Sequence, residues 1–365
     1  MHRLGRLSSR MLMAAALLAL AVLASGLDLA AAQTFKPEYK MSVVPGPDTA
    51  WGLGAQRFAD LVRERTGGRV NIKVYYSGQL FAGQQTSEFQ LLRQGVADFS
   101  LGSTINWSPQ VPQLNLFSLP FFFESYEELD AVIAGETGRW ITQRLAELGV
   151  TVLGWGENGF REFSNSVRPV RRPADMHGLK ARVVGSQIFI DTFRALGANP
   201  TAMNWSEALT AFQQGVVDGQ ENPLTGIYIP SRLWEVHPYV TMWHYTIDPL
   251  IFAASSRVWA TFPDDVKQII LEAAKDAEIY QKAVARAGLD GGRSVQILRE
   301  MGEPVAIEDP IAFLEERGVT VIQLTPEERA AFRAATQSVR DRWTQIIGED
   351  LVRLAEADKA KAKSQ

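Results

Sequence analysis

The sequence predicts an α/β protein of two lobes. Strand and helix patterns alternate along most of the chain, as they do when helices pack on a largely parallel sheet. The length of 365 residues exceeds what one hydrophobic core usually holds. A short unit also recurs. Residues 94–98 read QGVAD and residues 214–218 read QGVVD, each after a helical pattern and before a strand. Two related lobes account for that repetition.

The first 32 residues read as a secretory leader. MHRLGRLSSR is basic through Arg3, Arg6 and Arg10, and the apolar run MLMAAALLALAVLA follows. That run is short for a membrane span, and Ala30-Ala31-Ala32 supplies a cleavage site before Gln33. A membrane anchor is the rival reading; Asp28 and the small residues close behind the run weigh against it. Losing the leader removes three Arg and one Asp, so the net charge of −4 becomes about −6. Such acidity argues against nucleic acid or anionic lipid as partners. The chain has no cysteine, hence no disulfide and no lipid-modified N-terminus, and its core must stabilise it. The expectation is a monomer, soluble in the periplasm and not lipid-anchored.

Each element then follows from its pattern. Trp51, Ala55, Phe58 and Val62 share one helical face, and TGG at 66–68 ends that helix. VNIKVYY alternates like a half-buried strand. A helix over 86–94 stops at Gly95, and a strand is expected from about Val96. Ser125 and Glu128 form a capping-box pattern, a second helix covers 137–148, and VTVLGW is a strand. The middle third repeats this order. LKARVV (179–184) is a strand, SQIFIDTFRALG a helix, ANPTAM a short strand, and a helix from Asn204 or Ser206 to Gly215 leads into VVDGQ. Residues 239–256 read as two extended segments broken at Asp248-Pro249. Residues 264–301 are helical with a weak point at GLDGG (288–292), and a charged helical stretch begins at Thr325.

Several chemistries are excluded. Gly154-Trp-Gly156-Glu-Asn-Gly159 matches the dinucleotide fingerprint, but no helix pattern follows to hold a pyrophosphate. Beyond the leader the histidines are His177, His237 and His244, without the spacing of a helix-borne zinc site. There is no G-x-S-x-G elbow and no evident carboxylate pair. Neither cofactor, metal nor catalytic residue is expected. Arg182, inside LKARVV, is either a solvated edge-strand charge or a buried guanidinium awaiting an anion, whose planar fork suits a carboxylate. Arg161 in NGFREFSN invites the same pair of readings. Trp205 is a core residue or a site residue. Asn222, held extended by Pro223, is a turn residue or a directed amide. Trp107, Trp205 and Trp243 hint at a flat or apolar ligand body, although tryptophan more often packs in a core.

Taken in order, GGRVNIKVYYSGQLFAG, LLRQGVADFSLGS, FSLPFFFES, REFSNSVRPVRRPADMHGLKARV, LGANPTAMNWSEALTAFQQGVVDGQENP and IYIPSRLWEVHPYV resemble the dicarboxylate-binding type of solute-binding subunits of tripartite ATP-independent periplasmic (TRAP) transporters. The resemblance covers nearly the whole mature chain and is most specific over 161–223. It implies a type II-like periplasmic binding fold of two α/β lobes, a ligand cleft between them and a long helix crossing both. Lobe I would take 33–158 and 248–287, lobe II 159–247 and 288–345, with a helical tail over 346–365. It implies a small organic acid as ligand, captured by lobe closure and passed to the membrane subunits. Arg182 would pair with the carboxylate, Asn222 would hydrogen-bond it, Arg161 would be a second polar contact and Trp205 would lie against the ligand. The first lobe is the variable part of the site, with contributions expected from the loop over 45–51, including Trp51, and from the strand end Ser103–Trp107. GLDGG departs from the pattern, since it could interrupt the long helix. The rival functions are an exported hydrolase or lyase acting on an acidic sugar, and a sensor subunit presenting the ligand to a receptor.

Overall fold

The structure, a computed structural model, describes residues 35–362. The leader expected over residues 1–32 lies outside the described residues. Among them nine strands join in one sheet: β1 (Tyr39–Ser42), β2 (Ile72–Tyr75), β3 (Phe99–Ser103), β4 (Val150–Asn165), β5 (Lys180–Val183), β6 (Asn199–Ala202), β7 (Gly219–Asn222), β8 (Tyr239–Ser255) and β9 (Thr320–Gln323). Their order is β2-β1-β3-β8-β4-β7-β5-β6, with β9 also on β8.

The two long strands make the molecule bilobal. β4 and β8 pair antiparallel from Val150↔Ser255 to Asn165↔Tyr239. At one end β3 joins β8 at Leu250–Ala254, and β1 and β2 follow in parallel. At the other end β7 joins β4 at 162–165, and β5 and β6 follow in parallel. β9 lies along β8 at Tyr239–Met242. Each end is therefore the sheet of one lobe, and the chain crosses between lobes within β-structure.

Helices cover these sheets: α1 (Ala50–Arg65), α2 (Glu88–Gln94), α3 (Tyr126–Ala134), α4 (Glu136–Glu147), α5 (Gln187–Ala195), α6 (Trp205–Gln213), α7 (Asp264–Arg286), α8 (Arg293–Glu300) and α9 (Glu349–Ala362). The repeated unit does the same work in both lobes. Gly95 and Gly215 end α2 and α6 with φ of 76° and 65°, a region open to glycine. The Asp98 N–H donates to the Lys40 carbonyl (2.9 Å), and its carboxylate accepts from the Lys40 N–H (2.8 Å). Asp218 clamps Lys180 in the same way, at 2.7 and 2.8 Å. Each aspartate thus fixes the parallel neighbour of the strand about to begin. Those strands start at Phe99 and Gly219, later than the sequence pattern placed them. The intervening residues close the helix instead: the Val96 and Val216 N–H groups donate to the carbonyls of Leu91 and Ala211.

Three further expectations meet their outcome here. Asp248-Pro249 does not break the chain into two segments, because Pro249 pairs with Glu157 beside an irregularity of β4 between Glu157 and Gly159. A strand tolerates proline where the ladder is already interrupted. The long helix α7 packs on α1 and β4 and accepts a hydrogen bond from the Thr225 hydroxyl at Ala285, so it touches both lobes. The 288–292 segment does interrupt it: Gly288, Gly291 and Gly292 are left-handed, and α8 starts at Arg293. The glycine fingerprint of 154–159 lies inside β4 with no helix after it, which removes the phosphate-cradling reading. The tail helix α9 is docked, with the Asp358 carboxylate accepting from the Thr137 N–H (2.9 Å) and hydroxyl (2.8 Å) of α4. Trp243 belongs to the core, its ring centroid 4.6 Å from Tyr245 and 5.9 Å from Phe193. No helix among the described residues is long and apolar enough to cross a membrane.

Candidate functional site

The parallel strands of both lobes point their carboxyl ends at one small pocket. That is where open α/β sheets place ligands. From lobe I come Val44, Pro45 and Trp51 after β1, Gln85, and Ser103, Ile105 and Asn106 at the end of β3. From lobe II come Arg182 and Val184 of the β5 end, Trp205 at the start of α6, Asn222 closing β7, and Ile227. Asn158, Arg161 and Asp248 reach it from the crossing strands.

Arg182 is not an edge-strand charge. β5 lies between β6 and β7, and Arg182 is only 1% exposed. Its Nε and Nη2 both donate to the Met203 carbonyl, at 3.0 and 2.8 Å, and its guanidinium lies 5.6 Å from the Trp205 ring centroid. It forms no ion pair among the described residues. Burial outweighs the attraction of the nearby Glu221 carboxylate and, with a smaller push from Arg161, lowers its pKa to about 10.

Arg161 is the opposite case. Its Nε and Nη2 donate to the Glu221 carboxylate, Nη2 also to the Glu221 carbonyl at 2.8 Å, and Nη1 to Asp248 at 3.4 Å. Burial disfavours its charge, but the two carboxylates outweigh that and raise its pKa. Glu221 further accepts from the Tyr245 hydroxyl (2.7 Å). Asp248 accepts from Ser103 (2.6 Å) and Asn158 (2.9 Å); burial nevertheless pushes its pKa upward. The pocket wall therefore holds one compensated arginine and one uncompensated one.

Trp205 faces the pocket from the first turn of α6, and its N–H donates to Gln85 Oε1 at 2.6 Å. Gln85 in turn donates to Asn106 (2.8 Å). Ser108 and Ser186 join hydroxyl to hydroxyl at 2.9 Å. The Gln85–Trp205 and Ser108–Ser186 contacts run from one lobe to the other, so the lobes are drawn together. Asn222 donates to Gln220 and keeps a second amide hydrogen. The Trp51 indole N–H is buried and has no partner.

The structure gathers six of the seven residues singled out in the sequence: Arg182, Asn222, Arg161, Trp205, Ser103 and Trp51. Trp107 is the exception. Its ring is fully buried beneath β3, and its indole N–H donates to Glu88 at 3.0 Å. Gly102 makes room for it, since a Cβ there would fall 2.1 Å from the ring. Ser103 also plays a different part from the one its position suggested, orienting Asp248 and accepting from the Ile105 N–H (3.0 Å). Asn106 lies in the strand end expected to contribute, whereas sequence reasoning missed Gln85, Asn158, Glu221 and Asp248. The polar run DGQEN carried a signal for Glu221, and the unusual Asp248-Pro249 one for Asp248; Gln85 and Asn158 carried none.

Comparison with known proteins decides the family. Residues 41–290 match the family model of the bacterial extracellular solute-binding proteins, family 7 (DctP). The chain belongs to that family. These solute-binding proteins include the C4-dicarboxylate-binding periplasmic protein DctP of Rhodobacter capsulatus, 30% identical over 87% of this chain and 90% of that one. A TRAP periplasmic solute-binding protein of Ralstonia eutropha H16, solved with bound (S)-2-acetolactate, is 48% identical and superposes with a TM-score of 0.82 over 90% of this chain and all of its own. One from Sulfurospirillum deleyianum with bound succinate is 31% identical, with a TM-score of 0.76 over 88% and 98% of the two chains. Family 7 is a family of binding proteins rather than enzymes, and its home is the periplasm.

Proposed function

We propose that this protein captures a small organic acid in the periplasm by closing its two lobes and delivers it to the membrane subunits of a TRAP transporter, without catalysis. The lobes would be 33–158 with 248–287, and 159–247 with 288–345, hinged where β4 and β8 cross. One observation carries the reading: Arg182 is a buried guanidinium, facing the interlobe pocket, with no carboxylate to neutralise it. A charge in that position is costly until an anion arrives. A carboxylate would meet its remaining donors, with Asn222 as second donor and Trp205 and Arg161 alongside. The acids bound in related structures support this assignment.

The experiment is a thermal-shift screen of the mature protein across aliphatic, keto, aromatic and sugar acids, each beside its neutral amide. A ligand that binds only the folded state stabilises it by about 2.7 kcal/mol at a hundred times its Kd. Some acids should raise the midpoint and their amides should not. An amide that matches its acid would overturn the reading.

A further inference from the structure

The donors left unused in the pocket limit what can fill it. Arg161 is spent: all three of its nitrogens donate to Glu221 or Asp248. Gln85 uses its carbonyl on Trp205 and donates to Asn106, while Ser103 and Asn158 both donate to Asp248. Arg182 and the free amide hydrogen of Asn222 form one group of donors, enough for one carboxylate. The Trp51 indole N–H is another, buried and without a partner. The Asn106 amide, whose oxygen accepts from Gln85, and the second amide hydrogens of Gln85 and Asn158 are neutral donors besides. Val44, Pro45, Ile105, Val184 and Ile227 supply the aliphatic part of the wall.

We infer that the pocket takes a compact monocarboxylate bearing a further oxygen, that Trp51 donates to that oxygen, and that dicarboxylates are rejected. The inference rests on the carboxylate reading above. A second carboxylate would find the other cation of the pocket, Arg161, already neutralised, and a buried charge without a partner is strongly unfavourable. A further oxygen, in contrast, relieves an N–H that the protein alone leaves unsatisfied.

Calorimetry on the mature chain tests this with 2-hydroxy-2-methylpropanoate, 3-hydroxy-3-methylbutanoate, 2,2-dimethylpropanoate and succinate. The better of the two hydroxy acids should bind about tenfold more tightly than dimethylpropanoate, which lacks the hydroxyl. It should exceed succinate by about a hundredfold. In Trp51→Phe the preference over dimethylpropanoate should shrink to within about threefold, with dimethylpropanoate itself little changed. Succinate binding as well as the hydroxy acids would overturn the inference and leave the carboxylate reading standing. A preference that survives Trp51→Phe would overturn the role of Trp51. If none of these acids binds, the carboxylate reading fails and the inference fails with it.

Discussion

Replacing Arg182 with methionine separates binding from stability. Methionine keeps most of the stem and removes the charge. Burial holds the pKa of Arg182 down at about 10, which corresponds to about 3 kcal/mol against carrying that charge in the empty protein. The substitution relieves this cost and leaves the Met203 carbonyl, which accepts two bonds from Arg182, without a donor, a loss of about 1–3 kcal/mol. The ligand-free protein should therefore be unchanged or up to about 2 kcal/mol more stable. Binding should fall by about 3 kcal/mol or more, roughly a hundredfold in Kd, because the ligand carboxylate is then buried without its cation. Urea unfolding reads the first quantity and calorimetry the second. A variant that loses about 2 kcal/mol or more of stability, outside the expected range of no change to a gain of about 2 kcal/mol, would show that Arg182 is a structural cation, and one that keeps its affinity would show that it is no anchor.

Three other outcomes follow from the same charges and contacts. Glu88 is buried, accepts from Ser42 (2.7 Å) and Trp107, and has its pKa raised to about 7 by burial. Its folded pKa lies above its unfolded one, so the stability it confers is present at low pH and is lost as pH rises through about 7. Glu88→Gln should then be more stable than wild type at pH 8, by up to about 3 kcal/mol, and nearly equal at low pH; a pH-independent difference in urea midpoints would refute this. Glu221→Gln strips Arg161 of its main partner and should destabilise the protein by about 3 kcal/mol in the same assay, with an unchanged midpoint as the refuting result. Gln85→Ala removes the bond from the Trp205 N–H across the cleft and should weaken ligand binding by about 1–3 kcal/mol, chiefly through faster release; unaltered release in stopped-flow fluorescence would refute it.

The fold was legible where sequence periodicity is strong. α1, α5 and α6 follow from apolar faces closed by glycine, and the repeated QGV-x-D announced the two lobes before any contact was known. The errors share a cause. Asp248-Pro249 looks like a break because proline cannot donate to a ladder, yet β4 is itself irregular at that point. The strands after Gly95 and Gly215 begin late because the valines and aspartates serve the preceding helix and the neighbouring strand, and local pattern cannot register a partner more than thirty residues distant. The site was readable in part for a similar reason. Arg182, Asn222 and Trp205 sit in the stretch whose motifs are specific, whereas Gln85 acts through a contact between lobes and leaves no mark on its own segment. Trp107 was misplaced because its direction is set by Gly102 and Glu88, and neither spacing nor residue type reveals which side of β3 an indole will take.

The repeated unit also explains why the pocket is asymmetric. Both copies deliver a strand end to the cleft, at Ser103 in one lobe and Asn222 in the other, and both are held by the same aspartate clamp. Among the described residues lining the pocket, the uncompensated cation belongs to lobe II, on the strand its clamp fixes: Asp218 binds Lys180, two residues before Arg182. The equivalent clamp in lobe I binds Lys40, and the residue two positions on is Ser42, turned inward to Glu88. Lobe I thus offers neutral groups alone, from Gln85, Asn106 and Trp51, while the ions of the crossing strands cancel one another. Long-range attraction for an anion therefore belongs to lobe II, and the short-range contacts that require closure belong to lobe I. The two walls share one clamp, and one position on the clamped strand, Ser42 or Arg182, gives them different tasks.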